Sequence, residues 1–389
     1  MFHFNLHTVE SVTAGHPDKI CDQISDAILD ECLRQDPMSR VAVESFGGHN
    51  KLVIGGEVTT TAKVNYAEVA ARVYREVGYT DPLEITVNIV EQSPDIAMGV
   101  DTGGAGDQGI MYGYATDETP EFLPLAQVLS RGLTDRLTEV RESGELSWLK
   151  PDGKAQVTIK ALTPALSRIQ EVKEYAREGE LVDDSFTLPP SYGRIRGRDG
   201  VGEVMSVLVS CQHDENISQA EIIKSVQEKI IFPVFAERGV SLDSAEILVN
   251  PSGRFVLGGF AADTGLTGRK IMVDTYGGLA PHGGGAFSGK DFTKVDRSGA
   301  YMTRLAAKTL VAKGLAHQAL VSVAYAIGRA EPVMISAVDE EGNDLSEHLK
   351  DFDFRPQAII ERLGLRNPVF LQTARRGHFG RAGVKWEEV

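Results

Sequence analysis

Three times along this chain a long amphipathic helix is followed by two strand-like runs and a shorter helix. That repetition constrains the fold more than any other feature. The first long helix opens at Gly15-His16-Pro17-Asp18, with Pro17 suited to a first helical turn. Its apolar stripe is Ile20, Ile24, Ala27, Ile28 and Leu33. The second is expected over 124–142, with Leu125, Val128, Leu129, Leu133 and Leu137, and the third over 297–312, with Tyr301, Leu305, Lys308 and Val311. Strand-like runs follow at 41–46 and 51–60, at 156–160 and 204–211, and at 320–327 and 332–338. Closing helices are expected at 66–76, 218–230 and 355–363. Leu52-Val53-Ile54-Gly55-Gly56 and Phe255-Val256-Leu257-Gly258-Gly259 echo one another, as duplicated units would. The expectation is an α+β protein of three similar domains, each a small mixed sheet covered by helices. Boundaries fall at 1–100, 101–245 and 246–389, with terminal segments exchanged between domains. Residues 161–200 fit least well. Pro164, Pro189-Pro190 and Arg194-Ile195-Arg196-Gly197-Arg198 read as an inserted surface segment with one short helix near 168–177. Its basic end either binds an anion or is a solvated loop.

The densest chemistry lies in Gly283-Gly284-Gly285-Ala286-Phe287-Ser288-Gly289-Lys290-Asp291, followed by Lys294, Asp296 and Arg297. Glycines let a backbone approach a ligand closely. Lysines match phosphate charge, and an Asp can hold Mg²⁺ against phosphate oxygens. The run nearly fits a P-loop, but Asp291 stands where a Ser or Thr should ligate the metal. Residues 271–276 before it could form a strand. Gly104-Ala105-Gly106-Asp107-Gln108-Gly109 fits G-x-G-x-x-G, yet a strand-like alternation follows it and an acid sits inside it. A dinucleotide fingerprint needs a helix there and would not place a carboxylate against a pyrophosphate, so that reading is rejected.

Net charge is −15 and apolar content 42%. The acidic balance disfavours nucleic acid and anionic membranes as partners, and makes the cations from Arg269 to Arg297 a local field of opposite sign. Cys21, Cys32 and Cys211 have no metal-ligand spacing and read as core residues of a reducing compartment. No apolar run reaches transmembrane length and no signal peptide is visible, so a cytoplasmic location is expected.

At the first helix start, His16, Asp18 and Lys19 bring an imidazole, a carboxylate and an ammonium together. They make either an anion and metal site or an ordinary capping turn. Glu44, Glu57, Asp107 and Asp263 sit in strands or beside glycines. A buried strand carboxylate requires a partner, so Glu57 either meets a cation such as a substrate ammonium or lies on an exposed edge. Arg269-Lys270 after Gly268 resembles an anion-binding turn, and Phe255 either stacks on a base or is core.

Together these pieces resemble S-adenosylmethionine synthetase (methionine adenosyltransferase) of the bacterial and eukaryotic type. Glu10-Ser11-Val12 with Gly15-His16-Pro17-Asp18-Lys19 looks like the family's N-terminal signature. Residues 104–109 look like its central signature and 283–291 like its C-terminal one. Gln92-Ser93-Pro94-Asp95-Ile96, Pro151-Asp152-Gly153-Lys154, Asn250-Pro251-Ser252-Gly253-Arg254-Phe255, Gly265-Leu266-Thr267-Gly268-Arg269-Lys270, Tyr325-Ala326-Ile327-Gly328 and Gly377-His378-Phe379-Gly380 also match, in order along nearly the whole chain. The resemblance implies three α+β domains about a pseudo-threefold axis. It implies a homodimer with shared active sites, paired into a dimer of dimers. The implied reaction joins methionine sulfur to ribose C5′ of ATP and hydrolyses the displaced tripolyphosphate to pyrophosphate and phosphate.

By the same resemblance, His16, Lys154, Asp263, Arg269, Lys270 and Lys290 are the catalytic set. ATP is held by these residues with Asp152, Gly153, Arg254, Phe255 and Ala286. Methionine is held by Glu57, Gln92, Asp107, Asp263, Lys294 and Ile327. Asp18 and Asp296 would hold Mg²⁺, two ions per site, and Glu44 one K⁺ per subunit. The chain departs from the family pattern in three places. It is shorter between Asp101 and Gly104, where the active-site loop lies, longer over 161–200, and has Ala14 before Gly15-His16. Competing readings are another Mg-ATP phosphotransferase or phosphohydrolase, which would release ADP or AMP, and a non-catalytic nucleotide or methionine sensor. Intact Asp18, Lys154, Lys290 and Asp296 argue against the sensor.

Overall fold

A computed structural model describes residues 6–92, 103–160 and 202–389. Three long helices, α1 (Pro17–Gln35), α3 (Leu125–Glu142) and α7 (Val295–Ala312), each start a helix, strand, strand, helix unit. The first unit continues with β2 (Arg40–Gly48), β3 (Lys51–Thr59) and α2 (Tyr66–Val77), then adds β4 (Glu84–Val90). The second has β6 (Leu149–Lys160), β7 (Glu203–His213), α4 (Gln219–Val226), α5 (Phe232–Glu237) and β8 (Glu246–Val249). The third has β10 (Gln318–Tyr325), β11 (Met334–Asp339), α8 (Pro356–Leu363) and α9 (Phe370–Arg376).

Each sheet also takes a strand from another part of the chain. β1 (Leu6–Val12) closes the order β1-β6-β7-β8, β5 (Gly109–Thr116) closes β11-β10-β5, and β9 (Gly265–Leu266) closes β4-β3-β2-β9. The β3–β4 and β7–β8 pairs are parallel and the others antiparallel, so two of the sheets are mixed. One face of each sheet is apolar and carries a long helix: α1 on β2, α3 on β6 and β1, α7 on β5 and β10. The alternation in β2 shows how. Val41, Val43 and Ser45 point inward and are buried, while Glu44 and Phe46 point outward. One apolar core surrounds α1, α2 and α7; a second lies between α3, β6 and β7.

The structure corrects several local expectations. Residues 271–276 hold α6 (Ile271–Asp274), a helical turn and not a strand. Phe255 and its neighbours form no strand; Phe255 exchanges hydrogen bonds with His213 instead (2.9 and 3.0 Å). The helix expected over 218–230 widens into a π turn at Gln227–Ile231. Pro233 follows, cannot donate to the Lys229 carbonyl, and crowds it, which favours the wider turn. β6 starts at Leu149, with an irregular register up to Gly153 around Pro151, which has no N–H for the ladder. Cys21, Cys32 and Cys211 are free and buried. No helix among the described residues is long and apolar enough to cross a membrane. The expected insertion at 161–200 and the loop after Asp101 lie outside the described residues.

Candidate active site

The start of α1 builds one half of the site. His16 is the N-cap: its Nδ1 accepts the Asp18 N–H (3.1 Å), and Pro17 fills the first helical position. Because Nδ1 accepts, the ring proton is on Nε2, which is left as a donor. Burial, then the charges of Lys270 and Lys154, lower the imidazole pKa to about 2, so the ring is neutral. The buried Asp18 carboxylate accepts Leu266 N–H at Oδ1 (3.0 Å) and meets Lys270 Nζ at Oδ2 (2.6 Å), with Arg269 Nε 3.5 Å from Oδ1. Arg269 is half exposed.

Lys154 stands exposed on β6, and the Asp263 charge acts on His16 from the loop before β9. Asp152, next to the buried Gly153, is itself buried. Its Oδ2 accepts Gly259 N–H (2.9 Å) while Oδ1 has no partner, and burial raises its pKa to about 6. Phe255 is half buried, and Arg254 is engaged with Glu215 on the surface (2.6 Å). His16, Asp18, Asp152, Lys154, Asp263, Arg269 and Lys270 thus form one cluster.

The Gly-rich loop and the start of α7 build the other half. Lys290 Nζ lies 2.5 Å from Asp296 Oδ2, and Gly285 sits so close to Asp296 that any side chain there would strike its carboxylate. Gly289 has φ 81°, and a Cβ there would fall 1.8 Å from Val43 O, so only glycine fits. Lys290 forms an antiparallel bridge with Ala42, and Ala42 pairs on its other side with Glu57. Lys290, Ala42, Glu57, its β4 partner Val90 and, two residues along β2, Glu44 therefore share the outer face of one sheet. Gln92 follows two residues after Val90, at the same end. Lys294 pairs with Asp291. Asp291, which took the place of a P-loop Ser or Thr, is a buried anchor accepting Val41 N–H (2.6 Å) and Thr293 N–H (2.7 Å). Ala105 exchanges backbone bonds with Gly328 and Arg329 (2.8 and 2.9 Å), which sets the exposed Asp107 loop beside the exposed Ile327.

The two halves touch where Ala286 lies against Gly268: a Cβ on Gly268 would be 2.4 Å from the Ala286 methyl. One expectation fails. Arg297 is no part of the surface field; it is fully buried and clamped on Asp26 (2.8 and 2.6 Å). Asp22, Asp26 and Asp30, which bond the loops behind the site, are absent from the sequence reading. The available signal was their spacing of four residues from Asp18 along α1.

All three domains of S-adenosylmethionine synthetase match the chain: the N-terminal domain at residues 4–96, the central domain at 102–174 and 192–255, and the C-terminal domain at 257–388. The chain belongs to the S-adenosylmethionine synthetase family. The S-adenosylmethionine synthase of Mesoplasma florum is 45% identical over 402 aligned positions, covering 99% of this chain and 97% of that protein. The central synthetase domain passes over 175–191, within the stretch read as an insertion.

Proposed function

We infer that the chain makes S-adenosyl-L-methionine from ATP and L-methionine. Full-length membership of the family carries the reading, and the two lysine-carboxylate clusters supply the chemistry. A thioether sulfur is already a nucleophile. Its lone pair forms the bond to C5′ as the C5′–O bond breaks. The electron pair leaves with tripolyphosphate, and the sulfur becomes a sulfonium. No base or nucleophilic side chain is required, in keeping with three buried thiols whose pKa values burial raises. The hard part is charge gathering on the leaving group. Fixed cations address it without reorganisation, and alignment of sulfur with C5′ is the second large contribution.

His16 Nε2–H, Lys154, Arg269 and Lys270 bind the phosphate chain from one side, and Lys290 from the other. The unpartnered Asp152 Oδ1 accepts from the nucleoside, with Phe255 under the base, Arg254 also on ATP, and Asp263 on the ribose side next to methionine. Glu57, Gln92, Asp107 and Lys294 hold the methionine ammonium and carboxylate, and Ile327 its apolar chain.

The donor set suits Mg²⁺. No described group of three or more acids, His or Cys could cage a metal, but Asp18 and Asp296 each offer one carboxylate beside a lysine, and Mg²⁺ is commonly held by one or two carboxylates plus substrate phosphates. When bound, Mg²⁺ would neutralise phosphate charge; Glu44 would hold K⁺. Two copies of the chain complete each other's sites, and dimers pair. Support comes from the outer face bearing Glu44 and Glu57, which also exposes Phe46, Val53 and Val90, an apolar patch suited to an interface. The acidic charge and cytoplasmic setting leave nucleic acid and membrane out. The test incubates protein with ATP, L-methionine, Mg²⁺ and K⁺. S-adenosylmethionine with equal pyrophosphate and phosphate is expected; ADP or AMP without it would overturn the reading.

A further inference from the structure

Helix α1 is among the most buried elements of the fold, yet it carries Asp18, Asp22, Asp26 and Asp30 at a spacing of four residues, one on each turn of the same flank. Each carboxylate accepts backbone N–H groups from a segment far along the chain, Asp18 and Asp22 from one and the same turn. Asp18 takes Leu266, Asp22 takes Gly268 (2.8 Å), Asp26 takes Gly289 (2.8 Å), and Asp30 takes Phe370 and Leu371 (3.0 and 2.9 Å). Gly268 immediately precedes Arg269-Lys270, and Gly289 immediately precedes Lys290. Both glycines have positive φ, 82° and 81°. Each loop thus turns at a glycine whose N–H is fixed to the helix, and the next side chain is a phosphate-binding cation.

We propose that Asp22 and Asp26 are positioning residues for catalysis, setting the Arg269-Lys270 loop and the Lys290 loop at their mutual spacing along α1. Neither carboxylate touches a substrate-facing side chain directly. Four residues of helix, about 6 Å of rise, separate the two anchors, so the helix sets how far apart the two cationic loops sit. Asp26 is doubly fixed: Arg297 clamps it and also donates to Lys290 O (2.9 Å), which holds the Lys290 backbone from both sides. Asp22 lies 3.1 Å from Lys19 Nζ, which also pairs with Asp274 (2.6 Å). Two carboxylates share that one ammonium. Burial pushes the Asp22 carboxyl up to about 7, and what the Gly268 turn takes from it is one oxygen acceptor.

The inference rests on the synthetase reading, and the experiment separates the two. Wild-type turnover of ATP and L-methionine tests that reading; affinity for inorganic tripolyphosphate, measured by calorimetry, reports on the anchors even without turnover. Asp22→Ala removes the acceptor and Asp22→Asn restores it without charge. The expected result is a kcat loss of about thirtyfold in Asp22→Ala, with methionine KM within about threefold, tripolyphosphate affinity down about tenfold, and recovery of most of both losses in Asp22→Asn. A role confined to the Lys19–Asp274 ion pair would leave the Asn variant as impaired as the Ala variant, and would overturn the proposal. So would an Ala variant equal to wild type. If Asp22→Ala does not fold, the Asn variant decides: folded with most of the wild-type turnover supports positioning, whereas folded and inactive, or unfolded, rejects it. Asp26→Glu keeps the Arg297 charge pair but pushes a methylene into the Gly289 turn; a folded variant with kcat unchanged would overturn the Asp26 half.

Discussion

Helices α1 and α7 both run through the core, and both bury charges, yet they apply them to opposite ends. On α1 the carboxylates of Asp22 and Asp26 accept from the glycines that precede Lys270 and Lys290. On α7 the cations of Arg304 and Lys308 hold Glu387, and Arg304 also donates to the carbonyls of Tyr114, Glu121 and Phe122. Desolvated charge is equally expensive in both places. At Arg304 and Lys308 of α7 it secures the C-terminal tail and the β5 connection; at Asp22 and Asp26 of α1, with Arg297 at the start of α7 clamped on Asp26, it secures the loops that bear Arg269, Lys270 and Lys290. A buried ion pair is therefore no guide to function by itself. What its partner does next decides.

The sharpest way to separate the helices is at their far ends. Lys290→Ala should reduce kcat on the order of a hundred- to a thousandfold while ATP binding, measured by calorimetry, changes much less; equal loss in both would remove the transition-state role. Arg304→Ala should lower unfolding free energy by about 3–5 kcal/mol in urea titrations, since it leaves the buried Glu387 with Lys308 as its remaining cation and takes the donor from three backbone carbonyls, with turnover per folded molecule unchanged. A tenfold turnover loss there would erase the contrast with α1.

Asp30 offers a test by pH. Burial raises its carboxyl to about 6 against an ordinary value of 3.8, so between those values the folded state keeps a proton that the unfolded state has released. Stability should then fall as pH rises through that window, and Asp30→Asn should remove this part of the slope in melts from pH 4 to 7. His16 gives the smallest effect. It is neutral throughout, so His16→Ala should slow turnover yet leave the shape of the pH–rate profile between pH 5.5 and 8 unchanged; loss of an inflection near 6.5 would show that the imidazole titrates.

Much of this was legible in the sequence. The three long helices carry clean apolar stripes, and the signature segments place glycine, cation and acid in fixed order, so residues such as His16, Lys270 and Lys290 stand out without a structure. Asp22 and Asp26 did not, and Arg297 stood out only to be misread as part of the surface field. Their partners lie hundreds of positions away, and a polar residue on a helix ordinarily faces water. The echo between residues 52–56 and 255–259 misled for the opposite reason: the first run lies in a strand, whereas the second lies in none and His213 takes the Phe255 backbone bonds. Strand pairing is a property of two segments and cannot be read from one.

The strand exchange among the three sheets has a consequence for synthesis. Val9 pairs with Val157, Phe46 with Leu266, and Tyr114 with Leu320. As the chain emerges from the ribosome, each early strand must wait for a partner made much later, and contacts so distant in sequence form slowly. The β1-β6-β7-β8 sheet can close once Val249 has been made, but β4-β3-β2-β9 waits for Leu266 and β11-β10-β5 for Asp339, so cells that hold the nascent chain in a chaperone until release should gain more active enzyme than cells that let it go early.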